Sequence, residues 1–165
     1  MIVFSLGLFF IPVILSAQDF EVSINASSAD GSSISMTFGM EEGATDGFDL
    51  GTDEYAPPAP PTGFDAALAW DGDRYYTQIL AGLYSDAGVE HVYDIALGYP
   101  GDNLITITWD NTGWSDLGTF VLQDAFGGAL INVDMTIETS LELTNPAFNL
   151  LKLKVTPAGS AGRSR

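Results

Sequence analysis

The sequence contains no cysteine and a single histidine, His91. The first absence excludes a disulfide framework, thiolate metal sites and catalysis by a cysteine nucleophile. The second excludes a metal site with several imidazole ligands. No G-x-S-x-G segment occurs, and no serine lies in a context typical of a nucleophile. A small hydrolase that uses two carboxylates stays open, because the separation of such a pair is set by the fold.

Basic residues are scarce as well. Five Lys and Arg stand against 22 Asp and Glu, and the formal net charge is −17. A surface of this sign repels nucleic acid and anionic lipid, so neither is expected as a partner of the mature chain. Twelve of the 22 acids fall between Glu41 and Asp94, where Arg74 is the only Lys or Arg. This concentration of charge suits divalent cations or a cationic partner.

The N-terminus carries an uncharged apolar run of 14 residues from Ile2 to Leu15, followed by Ser16 and Ala17. The run is short for a membrane span and has the length of a signal-peptide core. No Lys or Arg precedes it, and Leu15 is large for its place before the cleavage site. We predict a signal peptide over 1–17, and hence a secreted or cell-surface protein. A retained anchor or a buried N-terminal element is the alternative.

The rest of the chain alternates apolar and polar residues with a period of two, which is typical of half-buried strands. Residues 20–40 predict one hairpin, with a type I′ turn at Asp30-Gly31. Further strands are predicted over 64–70, 74–83, 89–99, 104–109, 119–123, 130–137, 141–143 and 151–155. For 74–83 a helix is the alternative. Residues 158–165 predict a linker or a disordered tail.

About nine or ten short strands at this spacing favour an all-β domain over 18–157. The expected architecture is an antiparallel β-sandwich, either immunoglobulin-like or a jelly roll, because one flat layer cannot bury so many strands.

The segment 41–65, called the acidic loop below, holds seven carboxylates, four prolines and four glycines without a Lys or Arg. Calcium binds six to eight oxygen ligands and tolerates irregular geometry. The loop therefore predicts a calcium site, although its spacing is not that of an EF-hand. The alternative is a solvated loop that keeps a sheet edge soluble. The candidate ligands are Asp46, Asp49, Asp53, Glu54 and Asp65.

Aromatic side chains suggest a second kind of site, because exposed Trp and Tyr rings stack on sugar rings. Trp114 follows the turn 110–113 and is the stacking candidate if it is exposed, although a core position is favoured for it. Tyr75 and Tyr76 are the further candidates. Trp109 ends an alternating strand and is expected in the core, the position that we also favour for Trp70.

The runs A-T-D-G-F-D-L-G-T-D-E-Y-A-P-P-A-P-P at 44–61, L-I-T-I-T-W-D-N-T-G-W at 104–114 and F-V-L-Q-D-A-F-G-G at 120–128 carry a resemblance. They resemble N-terminal β modules of large secreted proteins from environmental, Bacteroidetes-like bacteria, many of which end in a type IX sorting domain. The resemblance covers most of 18–157. It implies a secreted or surface β module, and no activity comes with it.

These observations favour a non-catalytic exported module with a structural or adhesive role. Its partner is then an extracellular polysaccharide, a surface protein or a second copy of the chain. A carbohydrate-binding module is the second hypothesis, and a small hydrolase is the third.

Overall fold

The computed structural model describes residues 20–82 and 87–159. Within these ranges the chain forms eleven β-strands and one short helix, so the all-β prediction is confirmed. The leader predicted over 1–17, Leu83 at the end of one predicted strand, and residues 160–165 of the predicted tail lie outside the described residues.

The strands lie close to the positions that the alternating pattern predicts, and residues 74–81 form a strand rather than a helix. Only β3, which has two residues, has no predicted counterpart. The elements are β1 (Phe20–Ser28), β2 (Ser33–Glu41), β3 (Glu54–Tyr55), β4 (Asp65–Trp70), β5 (Asp73–Ala81), β6 (His91–Gly98), β7 (Ile105–Trp109), α1 (Trp114–Leu117), β8 (Gly118–Asp124), β9 (Asn132–Asp134), β10 (Ser140–Leu143) and β11 (Leu150–Pro157).

All the strands belong to one sheet, where two stacked sheets were expected. Its order is β10-β7-β1-β2-β5-β4-β6-β11-β8-β9, and β3 pairs with β5 beside this path. Every pair is antiparallel except β2 with β5. The sheet is nearly barrel-shaped, because its two edge strands, β9 and β10, are joined by residues 135–139 alone. The Trp109 indole N–H on β7, the neighbour of β10, donates at 2.9 Å to the carbonyl of Met135, the residue after β9. This bond links the two ends of the sheet.

Aromatic rings from distant strands fill the interior. Phe20 on β1 packs against Phe120 on β8 with ring centroids 5.4 Å apart. Phe38 on β2 lies 5.1 Å from Tyr93 on β6, and Trp114 on α1 lies 4.7 Å from Phe120. All five side chains are buried. Burial of each ring stabilises the fold by roughly 1.5–3 kcal/mol, so these contacts favour the curvature that brings β1 and β2 over β6 and β8.

Two Asp-Gly turns connect neighbouring strands in different ways. Asp71 (φ 47°) and Gly72 (φ 89°) both have positive φ and link β4 to β5 by the two-residue type I′ turn that suits twisted strands. At Asp30-Gly31 only Gly31 has positive φ, so the predicted type I′ turn is wrong there. The β1–β2 loop is longer, and the Asp30 carboxylate accepts hydrogen bonds from Ser28 Oγ and the Ser32 N–H.

The loop between β8 and β9 is built around one buried carboxylate. Asp124 accepts the backbone N–H groups of Phe126, Gly128, Leu130 and Ile131, at 2.6 to 3.3 Å. These bonds stabilise the ionised form and hold the pKa of Asp124 below its usual value. The hairpin that Gly127-Gly128 predicts is therefore present, and its loop is ordered by an aspartate.

Candidate functional site: the acidic loop and the Trp70 depression

The acidic loop completes an edge of β5. Strand β4 pairs with β5 only at its end, through Leu68, Ala69 and Trp70. Strand β3 lies along the opposite edge of β5, because Tyr75 pairs with Leu68 of β4 on one side and with Tyr55 of β3 on the other. The register shifts between the two residues of β3. Beyond β3, the Asp53 carboxylate accepts the Ile79 N–H at 2.8 Å. The loop thus satisfies backbone groups on the edge of β5 that faces away from β2 and β4.

Two aspartates order the loop from inside. Asp53 is 9% exposed, and its second oxygen accepts the Asp49 N–H at 2.8 Å. Asp49 in turn accepts the backbone N–H and the hydroxyl of Thr45, at 2.6 and 3.1 Å. Such bonds to charged acceptors are stronger than bonds between neutral groups. The carboxylates of the loop therefore determine its conformation.

Asp65 and Arg74 fix the far end of the loop. The Arg74 guanidinium donates to Asp65 at 2.5 Å and to the Pro57 carbonyl at 3.1 Å. The two side chains are only 9% and 19% exposed, so water screens this ion pair weakly. The pair anchors the proline-rich segment 57–61 against β4 and β5.

The five predicted calcium ligands thus have different surroundings. Asp49 and Asp53 accept hydrogen bonds within the loop, and Asp65 is paired with arginine. Asp46 and Glu54 are exposed. In residues 20–82 and 87–159 no three His, Cys, Asp or Glu side chains are grouped closely enough to hold a metal ion. Calcium binding stays a prediction.

A stack of three aromatic rings runs from the loop surface into the core. Phe48 lies parallel to Tyr55 at 4.2 Å, and Tyr55 stacks on Tyr75 at 5.2 Å. Phe48 and Tyr55 are 37% and 49% exposed, whereas Tyr75 is 1% exposed. Burial, with smaller effects of Tyr55, Asp73 and Asp53, raises the pKa of Tyr75 to about 12. No sequence pattern indicated this stack, because it depends on the pairing of β3 with β5.

The predicted sugar-stacking residues do not form one surface. Trp114 is 3% exposed and packs between Phe38 and Phe120, so it takes the favoured core position and is not available to stack on a sugar ring. Tyr75 is buried as well. Tyr76 is half-buried and lines a shallow depression of about 300 Å³ together with Ser33, Ile34, Ser35 and Glu54.

The exposed tryptophan is Trp70, at the end of β4. Trp70 is 39% exposed, against 6% for Trp109 and 3% for Trp114. The Trp70 depression, about 420 Å³ in volume, is lined by Ala69, Trp70, Asp71, Gly72 and Asp94. Placing Trp70 in the core was wrong. The Asp71-Gly72 turn that follows it was the available signal, because side chains beside a tight turn lie at the end of the sheet.

His91 begins β6 and packs beside Gly82, where a Cβ atom would lie 2.6 Å from the imidazole Cε1. Its Nε2 is buried and has no hydrogen-bond partner among the described residues. Over the same part of the chain, His91 makes no hydrogen bond to a serine or a carboxylate.

Comparison of the chain with family models, with curated proteins and with solved structures finds no match. Within the described ranges, none of the helices is long and apolar enough to span a membrane.

Proposed function

We propose that the chain is a non-catalytic exported β module with a structural or adhesive role, secreted or at the cell surface. The predicted leader, the acidic composition and the resemblance to modules of secreted proteins support the location. The observation that carries the adhesive role is the acidic loop, which is held at both ends and presents stacked rings to solvent.

An ordered loop with exposed rings suits adhesion for two reasons. A preorganised surface loses less conformational entropy on binding than a flexible loop does. Large, rigid side chains also contribute much of the contact energy in interfaces. Phe48 and Tyr55 supply the rings, which are 37% and 49% exposed.

The charge of the molecule limits its partners. In the described residues, Arg74, Lys152 and Lys154 each form an ion pair with a carboxylate. The remaining acids give the surface a negative potential. We therefore propose an uncharged polysaccharide or a basic surface protein as the partner, with self-association as the alternative.

Adhesion is tested with the full chain immobilised on beads. The beads are incubated with insoluble polysaccharides, with extracts of bacterial surface proteins and with the free chain. We expect retention of one of these, and at least a tenfold loss of retention in the double variant F48A/Y55A. The control variant, L50A, removes an exposed apolar side chain of the same loop without touching the stack. Equal retention by both variants would refute the role of the ring stack.

Export is tested by expressing the full chain in a Gram-negative bacterium and fractionating the cells. We expect a mature protein outside the cytoplasm that begins at Gln18. Recovery from the cytosol with Met1 intact would contradict the proposal.

We also propose that calcium stabilises the acidic loop, with Asp46 and Glu54 as the carboxylates open to solvent. A ligand at 100 times its Kd stabilises the native state by about 2.7 kcal/mol. For a domain of this size that corresponds to a Tm increase of roughly 5–10 °C. This Tm increase is measured by melting the protein in calcium chloride and in EDTA. An unchanged Tm would refute calcium binding and leave a solvated loop, without affecting the adhesive role.

A further inference from the structure

The Trp70 depression brings an aromatic ring and carboxylates together at the surface of the protein. Its volume of about 420 Å³ lies within the range of small-ligand sites. It combines an exposed indole ring, two carboxylates and the small residues Ala69 and Gly72. The small side chains leave one side of the depression open, so a flat ligand can reach the ring.

The indole is held on a rigid support. Trp70 pairs with Asp73 across the type I′ turn, and Asp71 adopts positive φ, which few residues other than glycine adopt. Ala69 also pairs with Asp94 on the neighbouring strand β6. The ring therefore stays at the end of the sheet without a ligand, which lowers the entropy lost on binding.

Of the two carboxylates in the depression, Asp71 and Asp94, the second forms an ion pair with a lysine. Lys152 Nζ binds both oxygens of Asp94, at 2.6 and 2.7 Å, and each of these side chains is about one-third exposed. Asp94 is thereby neutralised, but its oxygens retain lone pairs that can accept further hydrogen bonds. Such a group favours a hydroxyl donor over a cation.

A row of polar side chains borders the depression on the outer face of the sheet. Trp70, which follows Ala69, leaves β4 on the opposite face, so the ring and the row meet only at the end of the strand, where Trp70 and Asp94 both line the depression. Register places Ala69, Asp94, Lys152, Gln123 and Asn132 side by side on five neighbouring strands. The Gln123 amide donates to Asn132 at 2.9 Å. With strands about 4.8 Å apart, the row is roughly 19 Å long, which is the length of a chain of several sugar units.

We propose that the Trp70 depression binds an uncharged polysaccharide of pyranose sugars. One sugar ring stacks on Trp70 at the end of β4, and Asp71 and Asp94 accept its hydroxyl groups. The polar row beyond Asp94 can contact further units. The net charge of −17 disfavours anionic polysaccharides. The inference rests on the proposed adhesive function and names its ligand, at a surface other than the ring stack of Phe48 and Tyr55.

The proposal is tested with the full chain by calorimetric titration with cellohexaose, mannohexaose, xylohexaose and chitohexaose. We expect at least one of them to bind, at least tenfold more weakly to W70A and severalfold more weakly to D94N. The matched control is F126A, which removes an aromatic ring that is 69% exposed on the β8–β9 loop. Its affinity should equal that of the unmodified chain. Melting curves verify that each variant is folded, and W70F, which retains a ring, should recover part of the affinity.

Binding of none of the four oligosaccharides, equal binding by W70A, or equal losses in W70A and F126A would each overturn the inference. These failures are distinct from failure of the proposed function. An exported chain that adheres through Phe48 and Tyr55 but binds no sugar refutes only the inference. A chain that binds sugar through Trp70 but remains in the cytosol with Met1 intact refutes only the export.

Discussion

Replacing Asp53 with asparagine should detach the acidic loop from β5. The carboxylate accepts the N–H groups of Asp49 and Ile79, both at 2.8 Å, and the side chain is nearly buried. An asparagine at this position has one acceptor oxygen, and its amide nitrogen would face the second N–H. The bond to Ile79 is buried, so water cannot replace it there.

The size of the effect follows from these two bonds. A hydrogen bond to a charged group contributes about 1.5–3 kcal/mol, so the loss of one and the weakening of the other should destabilise the fold by about 2–4 kcal/mol. That corresponds to a decrease in Tm of roughly 5–15 °C for a domain of this size. The matched control is D46N, which removes the same charge from an exposed position of the same loop and should change Tm by less than about 2 °C.

Both variants should be melted in EDTA and in calcium chloride, with hydrogen exchange followed at Tyr55 and Ile79. Faster exchange at both amides and a Tm difference that persists in EDTA are expected. A D53N variant that melts within about 2 °C of D46N would refute the anchoring role. A Tm difference that appears only in calcium would show that Asp53 acts through an ion instead.

Three further predictions concern the core, the β8–β9 loop and pH. F120A should destabilise the fold by about 3–5 kcal/mol in urea unfolding, because Phe120 is buried against two other rings; a loss below about 1 kcal/mol would contradict that packing. Above pH 3.8, backbone amides in 126–131 should exchange hydrogen faster in D124N than in the unmodified chain, and this difference should fade as pH falls through the lowered pKa of Asp124. Equal exchange rates in the two proteins would contradict the role of the carboxylate. Burial raises the pKa values of Tyr75 and Tyr99 to about 12 from 10.0, so their contribution to stability should be complete below pH 10 and lost as pH rises toward 12; a flat stability over that interval would contradict it.

Much of the secondary structure could be predicted because alternation of apolar and polar residues is a local property. The hairpin of β1 and β2 follows from residues 20–40 alone. The order of the strands could not be predicted. The parallel pairing of β2 with β5 places a β4–β5 hairpin between β2 and β6, and no local pattern encodes that choice. That order depends on contacts between residues far apart in sequence, such as the core rings of Phe38 and Tyr93.

The candidate sites were predicted less well, for the same reason. Composition indicated an acidic loop, but hydrogen bonds and an arginine determine which of its carboxylates remain open to solvent. Trp114 and Trp70 both lie beside turns in the sequence. The side chain of Trp114 points into the core from α1, whereas Trp70 lies at the end of the sheet.

The all-β class, the acidic charge and the absence of thiol chemistry are evident from the amino-acid sequence, because they depend on composition and on the period of neighbouring residues. The single curled sheet, the role of Asp53 in the loop and the exposure of Trp70 became visible only in the folded chain. Those outcomes depend on which strands pair and which face each side chain takes, and both are set by contacts between distant residues.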